Sequence, residues 1–147
     1  MLSTLCRQCG LCCSGAFFTH VALSTAEAER LRGERVRVVS KRDGRKVMAL
    51  GCTALDGTTC GIYGQRPHGC REYVCEVGRS LERGALSLDE ALAVVRRGRE
   101  LVDAVLVEAG PSAPGDTEPA LDRARREGLP NGPGPLRAMS AYLAEHF

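Results

Sequence analysis

The run Cys6-Arg7-Gln8-Cys9-Gly10-Leu11-Cys12-Cys13 decides how this chain is read. It holds two overlapping C-x-x-C steps and closes on a pair of adjacent cysteines. One such step lets two sulfurs reach a single ion while the turn between them aims backbone N–H groups at the sulfurs. Four cysteines in so short a run are hard to explain as packing. Neighbouring side chains point apart, so a single tetrahedral ion holding both Cys12 and Cys13 is awkward. The pair suits two different ions, or one of the two sulfurs in a bridging or supporting role. For Cys13 a plain apolar role is the competing reading.

Outward from this run lie Cys52 and Cys60, then Cys70 and Cys75, which complete a set of eight cysteines. Eight sulfurs divide into two four-sulfur sites, suited to two zinc ions or to two tetrahedral iron environments. The candidate metal ligands are therefore Cys6, Cys9, Cys12, Cys13, Cys52, Cys60, Cys70 and Cys75. Disulfides are the alternative use of so many thiols. The opening Met1-Leu2-Ser3-Thr4-Leu5 has no basic region leading into an apolar run, so no secretory signal is expected. A cytoplasmic setting follows as the expectation, and there disulfides rarely persist. No stretch approaches the length of an apolar membrane span.

The remaining composition narrows the partners. Net charge is +2 over 147 residues, too small to imply nucleic acid or a membrane surface by electrostatics. Only Lys41 and Lys46 among the 20 basic residues are lysine, a skew better explained by a GC-rich bacterial genome than by a binding surface. Acidic residues interleave with the arginines at 96, 97, 99, 123, 125 and 126, which reads as solvated helix faces. Trp is absent and aromatics make up 4% of the chain. A loop-rich half with so few large side chains needs a cross-link or a metal to hold it.

Local signals outline the elements. Phe17–Leu23 suits an extended segment. Ser24 with Glu27 forms a capping-box pattern that opens a helix through about Leu31, ended by Gly33. Val36, Val38, Val47 and Ala49 flank Asp43-Gly44 as a β-hairpin. A second turn at Asp56-Gly57 would bring Cys52 and Cys60 together across a knuckle-like loop. A short helix is expected from Arg66-Pro67, with Cys70 and Cys75 on or beside it. Ser87 and Glu90 repeat the capping box and start a long helix that stops at Gly110-Pro111. Residues 110–119 read as a loop. An arginine-rich helix follows from about Pro119 to Glu127, then a Gly/Pro break. A last helix carries Leu136, Met139, Tyr142, Leu143 and Phe147 on one face and is expected to dock on the long one. The fold expected is α+β: a cysteine-rich metal-binding region at 1–78 with short hairpins, and a helical extension at 79–147 packed on it as one compact unit.

The cysteine run resembles the signature of the bacterial YkgJ-like CxxCxxCC cysteine-cluster family. The later Cys52-Thr-Ala-Leu-Asp56 and Cys60-Gly-Ile-Tyr-Gly-Gln-Arg-Pro-His-Gly-Cys70-Arg-Glu-Tyr-Val-Cys75 resemble the rest of it. The resemblance covers residues 6 to about 76 and implies zinc or iron chelation by all eight cysteines. One larger relative joins such a cluster to flagellin lysine methylation; this chain looks too short for that whole machinery.

Around the cluster, Arg66 and Arg71 are candidates to offset thiolate charge by donating to sulfur or pairing with carboxylates. Tyr63 is expected to pack over the knuckle with its hydroxyl at a backbone carbonyl. His68 is read as exposed or structural, with His20 and His146 weaker still as ligands. No nucleophile–base pair and no cofactor loop is evident. The leading expectation is a non-catalytic, metal-stabilised module that chelates metal or presents a surface to an unidentified protein partner. The alternative is an iron–sulfur protein with redox or radical-type chemistry, as part of a protein-modifying methylation system. Zinc-knuckle binding of nucleic acid is a further reading, which charge balance and scarce aromatics argue against; a thiol redox switch is another, because closely spaced thiolates oxidise to disulfides when metal leaves.

Overall fold

The structure is a computed structural model describing residues 1–147. Its elements run α1 (Leu2–Cys9), β1 (His20–Leu23), α2 (Thr25–Leu31), β2 (Val38–Ser40), β3 (Lys46–Ala49), β4 (Leu55–Asp56) and β5 (Thr59–Cys60). A 3-10 turn at Tyr63–Gln65 leads to α3 (His68–Glu72), α4 (Glu76–Glu82), α5 (Leu88–Ala109), α6 (Ala120–Glu127) and α7 (Gly134–His146). The α+β class read from the sequence holds.

Both capping boxes form. The Ser24 hydroxyl accepts from the Glu27 amide, and Glu27 returns a carboxylate to the Ser24 amide. Ser87 and Glu90 do the same at the start of α5. Each cap satisfies amides that the first helical turn leaves without partners, a contribution of about 1 kcal/mol. The α5 helix stops at Gly110 (φ 71°), as expected.

Two small sheets sit between the helices. The strand order in the first is β1-β3-β2, all antiparallel, with Val39 opposite Val47 and Val21 opposite Met48. The hairpin loop spans residues 42–44, closed by the Lys41 amide on the Arg45 carbonyl at 2.8 Å, with Gly44 at φ 85°. That conformation needs glycine, which is why Asp-Gly marks the turn. In the second sheet Leu55 faces Cys60 and Asp56 faces Thr59, so Gly57 and Thr58 make the turn.

Three apolar clusters hold the elements together. Leu31, Met48, Leu50, Ala54 and Ile62 fill the space between sheet, α2 and knuckle. Leu5, Val77, Leu81, Ala91 and Val95 join α1, α4 and the first half of α5. Val102, Val105, Leu121, Ala124, Met139 and Leu143 join the second half of α5 to α6 and α7. Thus α5 is the spine, and α7 docks along it as the apolar face of Met139 and Leu143 requires. The Tyr142 hydroxyl reaches back to the Val94 carbonyl at 3.3 Å.

Three details depart from the expected elements. The cysteine run starts inside a helix, α1, and α4 follows directly after Cys75; neither was foreseen. The extended segment is shorter than Phe17–Leu23, because Phe17 turns to stack on Phe147 (5.2 Å between ring centres) and Phe18 packs edge-on against Tyr73 (4.9 Å). Only from His20 does the backbone pair with β3.

Candidate metal centre

Cys6 and Cys9 lie one turn apart on α1, so both side chains leave the same face of the helix. The helix ends at Gly10, whose left-handed backbone (φ 68°) reverses the chain. A β-carbon there would sit 3.3 Å from the Thr58 backbone, so glycine also admits the knuckle tip. Residues 11–15 then form turns that carry Cys12 and Cys13, braced by the Ser14 hydroxyl on the Leu11 carbonyl at 2.7 Å. Leu11 is 2% exposed and anchors this turn in the cluster under α5.

The other four cysteines come from later elements. The Cys52 amide donates to the Cys13 carbonyl at 2.7 Å, and the Gly61 amide to the Ala54 carbonyl at 2.8 Å, which places Cys60 beside Cys52. Cys70 lies in α3, and Cys75 caps α4 with its Sγ accepting from the Gly78 amide at 3.4 Å. All eight are free thiols. All eight line one cavity of about 270 Å³ with a largely apolar wall. As the side chains lie, no three His, Cys, Asp or Glu groups close on a single point as a finished ion cage. The thiols are gathered round the cavity instead.

Burial and mutual repulsion both raise the thiols above their ordinary range. Burial pushes the Cys9 thiol up to about 11, with the charges of Cys75 and Cys6 adding to it and a backbone amide at Leu11 opposing. Cys12 is raised further by burial, then by Cys9, Cys75, Cys13 and Cys6. Burial and then Cys75 raise Cys6. Cys13 is pushed up to about 12 by burial, and by Cys52, Cys60 and Cys70. Cys70 is pushed up to about 11 by burial, Cys52 and Cys60. Burial also raises Cys52, with Cys60 adding to it. Desolvation and crowding both disfavour the thiolate, so these cysteines are protonated at neutral pH unless a cation replaces the protons.

A thiol-only donor set in a cavity is chemically fitted to zinc or to iron, because soft thiolate ligands select zinc and iron–sulfur sites over hard cations such as magnesium or calcium. Arg7 and Arg66 lie in the cavity wall. Arg66 favours the thiolate at both Cys6 and Cys70, Arg99 does so at Cys9 and Arg37 at Cys52. Arg66 stacks over Tyr63 with its guanidinium carbon 3.7 Å from the ring centre, and Arg7 stacks over the same ring at 4.6 Å. The Arg66 Nε donates to the Tyr63 carbonyl at 3.0 Å. Tyr63 is thus an aromatic platform for two arginines, where a hydroxyl–carbonyl bond was expected. The Arg71 amide donates to the Pro67 carbonyl at 3.3 Å, but its side chain makes no hydrogen bond or ion pair and is not part of the cavity wall.

His68 is exposed, 4.0 Å from the Glu72 carboxylate, in line with its reading as an exposed residue. The helix arginines pair largely with local carboxylates: Arg97 with Glu100, Arg126 with Glu118. Two supporting residues escaped the sequence reading. Arg125 donates to the Gly15 carbonyl at 2.9 Å and to the Ala16 carbonyl at 2.6 Å, clasping the loop after Cys13 to α6. Glu27, read only as a cap, also accepts from the His68 amide at 2.6 Å and so ties α2 to the helix bearing Cys70. Neither contact has a local sequence signal.

A family model described as "CxxCxxCC: Putative zinc- or iron-chelating domain" matches residues 5–87, more than half of the chain. No curated protein and no solved structure matches it. No helix is long and apolar enough to cross a membrane.

Proposed function

Because the chain belongs to the CxxCxxCC family, we propose that it is a metal-binding protein in which all eight cysteines are ligands and two ions are held, zinc before iron. The observation that carries this reading is the single cavity lined by every cysteine of the chain. When bound, such ions supply cross-links between loops and contribute folding free energy directly. The chain's own residues do the rest. Leu11, Arg125 and the Cys52–Cys13 main-chain bond hold the thiol-bearing loops in register, and Arg66 offsets thiolate charge.

The role that fits is a non-catalytic module of the cytoplasm, chelating metal or presenting a metal-stabilised surface to a protein partner. The cysteine region at 1–78 binds the ions and the helices at 79–147 brace it as one unit. Apolar contacts of α1 with α4 and α5 support that division of labour. The test is anaerobic purification followed by metal analysis and absorption spectroscopy. Stoichiometric zinc in a colourless protein supports the proposal. A brown protein with iron and sulfide favours the iron–sulfur alternative, with redox or radical-type chemistry in a protein-modifying methylation system. A protein that binds neither metal overturns both.

A further inference from the structure

We infer that the eight thiols form two separate four-cysteine centres, Cys6, Cys9, Cys12 and Cys75 in one and Cys13, Cys52, Cys60 and Cys70 in the other, joined through the peptide bond between Cys12 and Cys13. This assignment rests on the metal-binding reading above and goes beyond it by saying which thiols share an ion.

Packing carries the division. Cys9 and Cys75 lie against the cluster of Leu5, Val77, Leu81, Ala91 and Val95, between α1, α4 and α5. Cys13, Cys52, Cys60 and Cys70 lie against a different cluster, that of Leu31, Met48, Leu50, Ala54 and Ile62. The two beds belong to different layers, one wholly helical and one built on the sheet. Cys6 joins the first group through α1, one helical turn before Cys9. Main-chain bonding joins Cys13 to Cys52, and the ladder partner of Cys60 is Leu55 on the same knuckle.

Adjacent side chains point apart, and Cys13 packs on the bed built on the sheet, so Cys12 falls to the helical group with the remaining thiols. Each centre has the composition of a closed tetrathiolate site. Loading one divalent ion forms four metal–sulfur bonds and releases roughly four protons from four thiols, leaving each centre anionic. Arg66 lies in the wall of the cavity that all eight thiols share, so one guanidinium is at hand for both centres.

The experiment uses the full chain and zinc alone. Wild-type protein is expected to bind about two zinc ions against a competing chelator. The double variant Cys52→Ser/Cys70→Ser, within one centre, should keep about one of them. The double variant Cys70→Ser/Cys75→Ser, which damages both centres, should keep none. Equal zinc content in the two variants overturns the assignment. A second measurement needs no mutation. Wild-type chain at half loading is alkylated, and molecules carrying one zinc are fragmented intact. Cys12 and Cys13 should never be protected in the same molecule, and protection of Cys9 should accompany Cys75. Molecules protecting Cys9 together with Cys52 overturn the assignment while leaving metal binding itself intact. A wild-type chain that binds no zinc or iron sinks the metal-binding reading first.

Discussion

The Cys52 amide donates to the Cys13 carbonyl at 2.7 Å, fastening the knuckle to the N-terminal cysteine run by main chain alone. A crossing of two backbones leaves little room for side chains, and Gly15 stands beside it. A β-carbon on Gly15 would lie 3.0 Å from the Gly51 nitrogen, and its φ is 86°.

Replacing Gly15 with Ala should therefore cost more than the conformational penalty of about 1–2 kcal/mol for a left-handed alanine. The comparison is Gly44→Ala, at φ 85° with no atom within 4 Å of the added carbon. Denaturant unfolding should show Gly15→Ala clearly less stable than Gly44→Ala. Equal midpoints would mean that the crossing is looser than described.

Arg125 holds two carbonyls with one guanidinium, those of Gly15 and Ala16. Removing a charged donor from partly buried carbonyls costs about 1–3 kcal/mol. Arg125→Ala is expected to lower the melting temperature and to hasten hydrogen exchange at residues 14–17. Lysine should restore only part of the loss, since an ammonium lacks the planar fork. Full rescue by Arg125→Lys would contradict the fork geometry.

Glu27 links α2 to α3, and the His68 amide, followed by the Ser24 amide, holds its carboxyl below the ordinary 4.5. Its folded value lies below its unfolded one, so its stabilisation is present above about pH 4.5 and is lost as pH falls through the folded value. Glu27→Gln should lower stability at neutral pH and flatten the acid side of the stability profile. A variant with the wild-type acid slope would show that other carboxylates, such as Glu90 at its own cap, govern that limb.

The thiols act at the other end of the scale. Cys9 and Cys70 are pushed up to about 11 and Cys13 to about 12, from 9.0. Above about pH 9 the unfolded chain gives up protons that the folded chain keeps, so the metal-free protein should lose stability as pH rises from there. Metal-loaded protein, whose thiolates are already deprotonated, should lack this alkaline loss. Unfolding midpoints with and without a chelator between pH 7 and pH 10 check both, and parallel profiles would show that metal does not sit on these thiols. Zinc uptake should also acidify a weakly buffered solution.

Signals confined to a few neighbouring residues were legible in advance. Ser24 with Glu27 and Ser87 with Glu90 closed their boxes, Gly44 took the left-handed turn, and Gly110 ended α5. Each depends on contacts between residues one to four positions apart, which order in sequence specifies. Two short helices were not legible. α1 buries only Leu5 and α4 only Val77, Gly78 and Leu81, too few apolar positions to announce a periodic face. They are helical because they pack on α5, a partner far along the chain.

The eight cysteines themselves, and their spacing in C-x-x-C steps, came from sequence, and so did the clash of interests between Cys12 and Cys13. Their sorting into two groups is a property of the fold. It depends on the pairing of β1 with β3, on the docking of α1 against α4 and α5, and on Arg125 reaching back to Gly15. Such contacts close long loops, and their geometry is set by which apolar faces meet. Local order along the chain supplies thiols in the right number; only the meeting of two separate apolar beds decides which of them face one another.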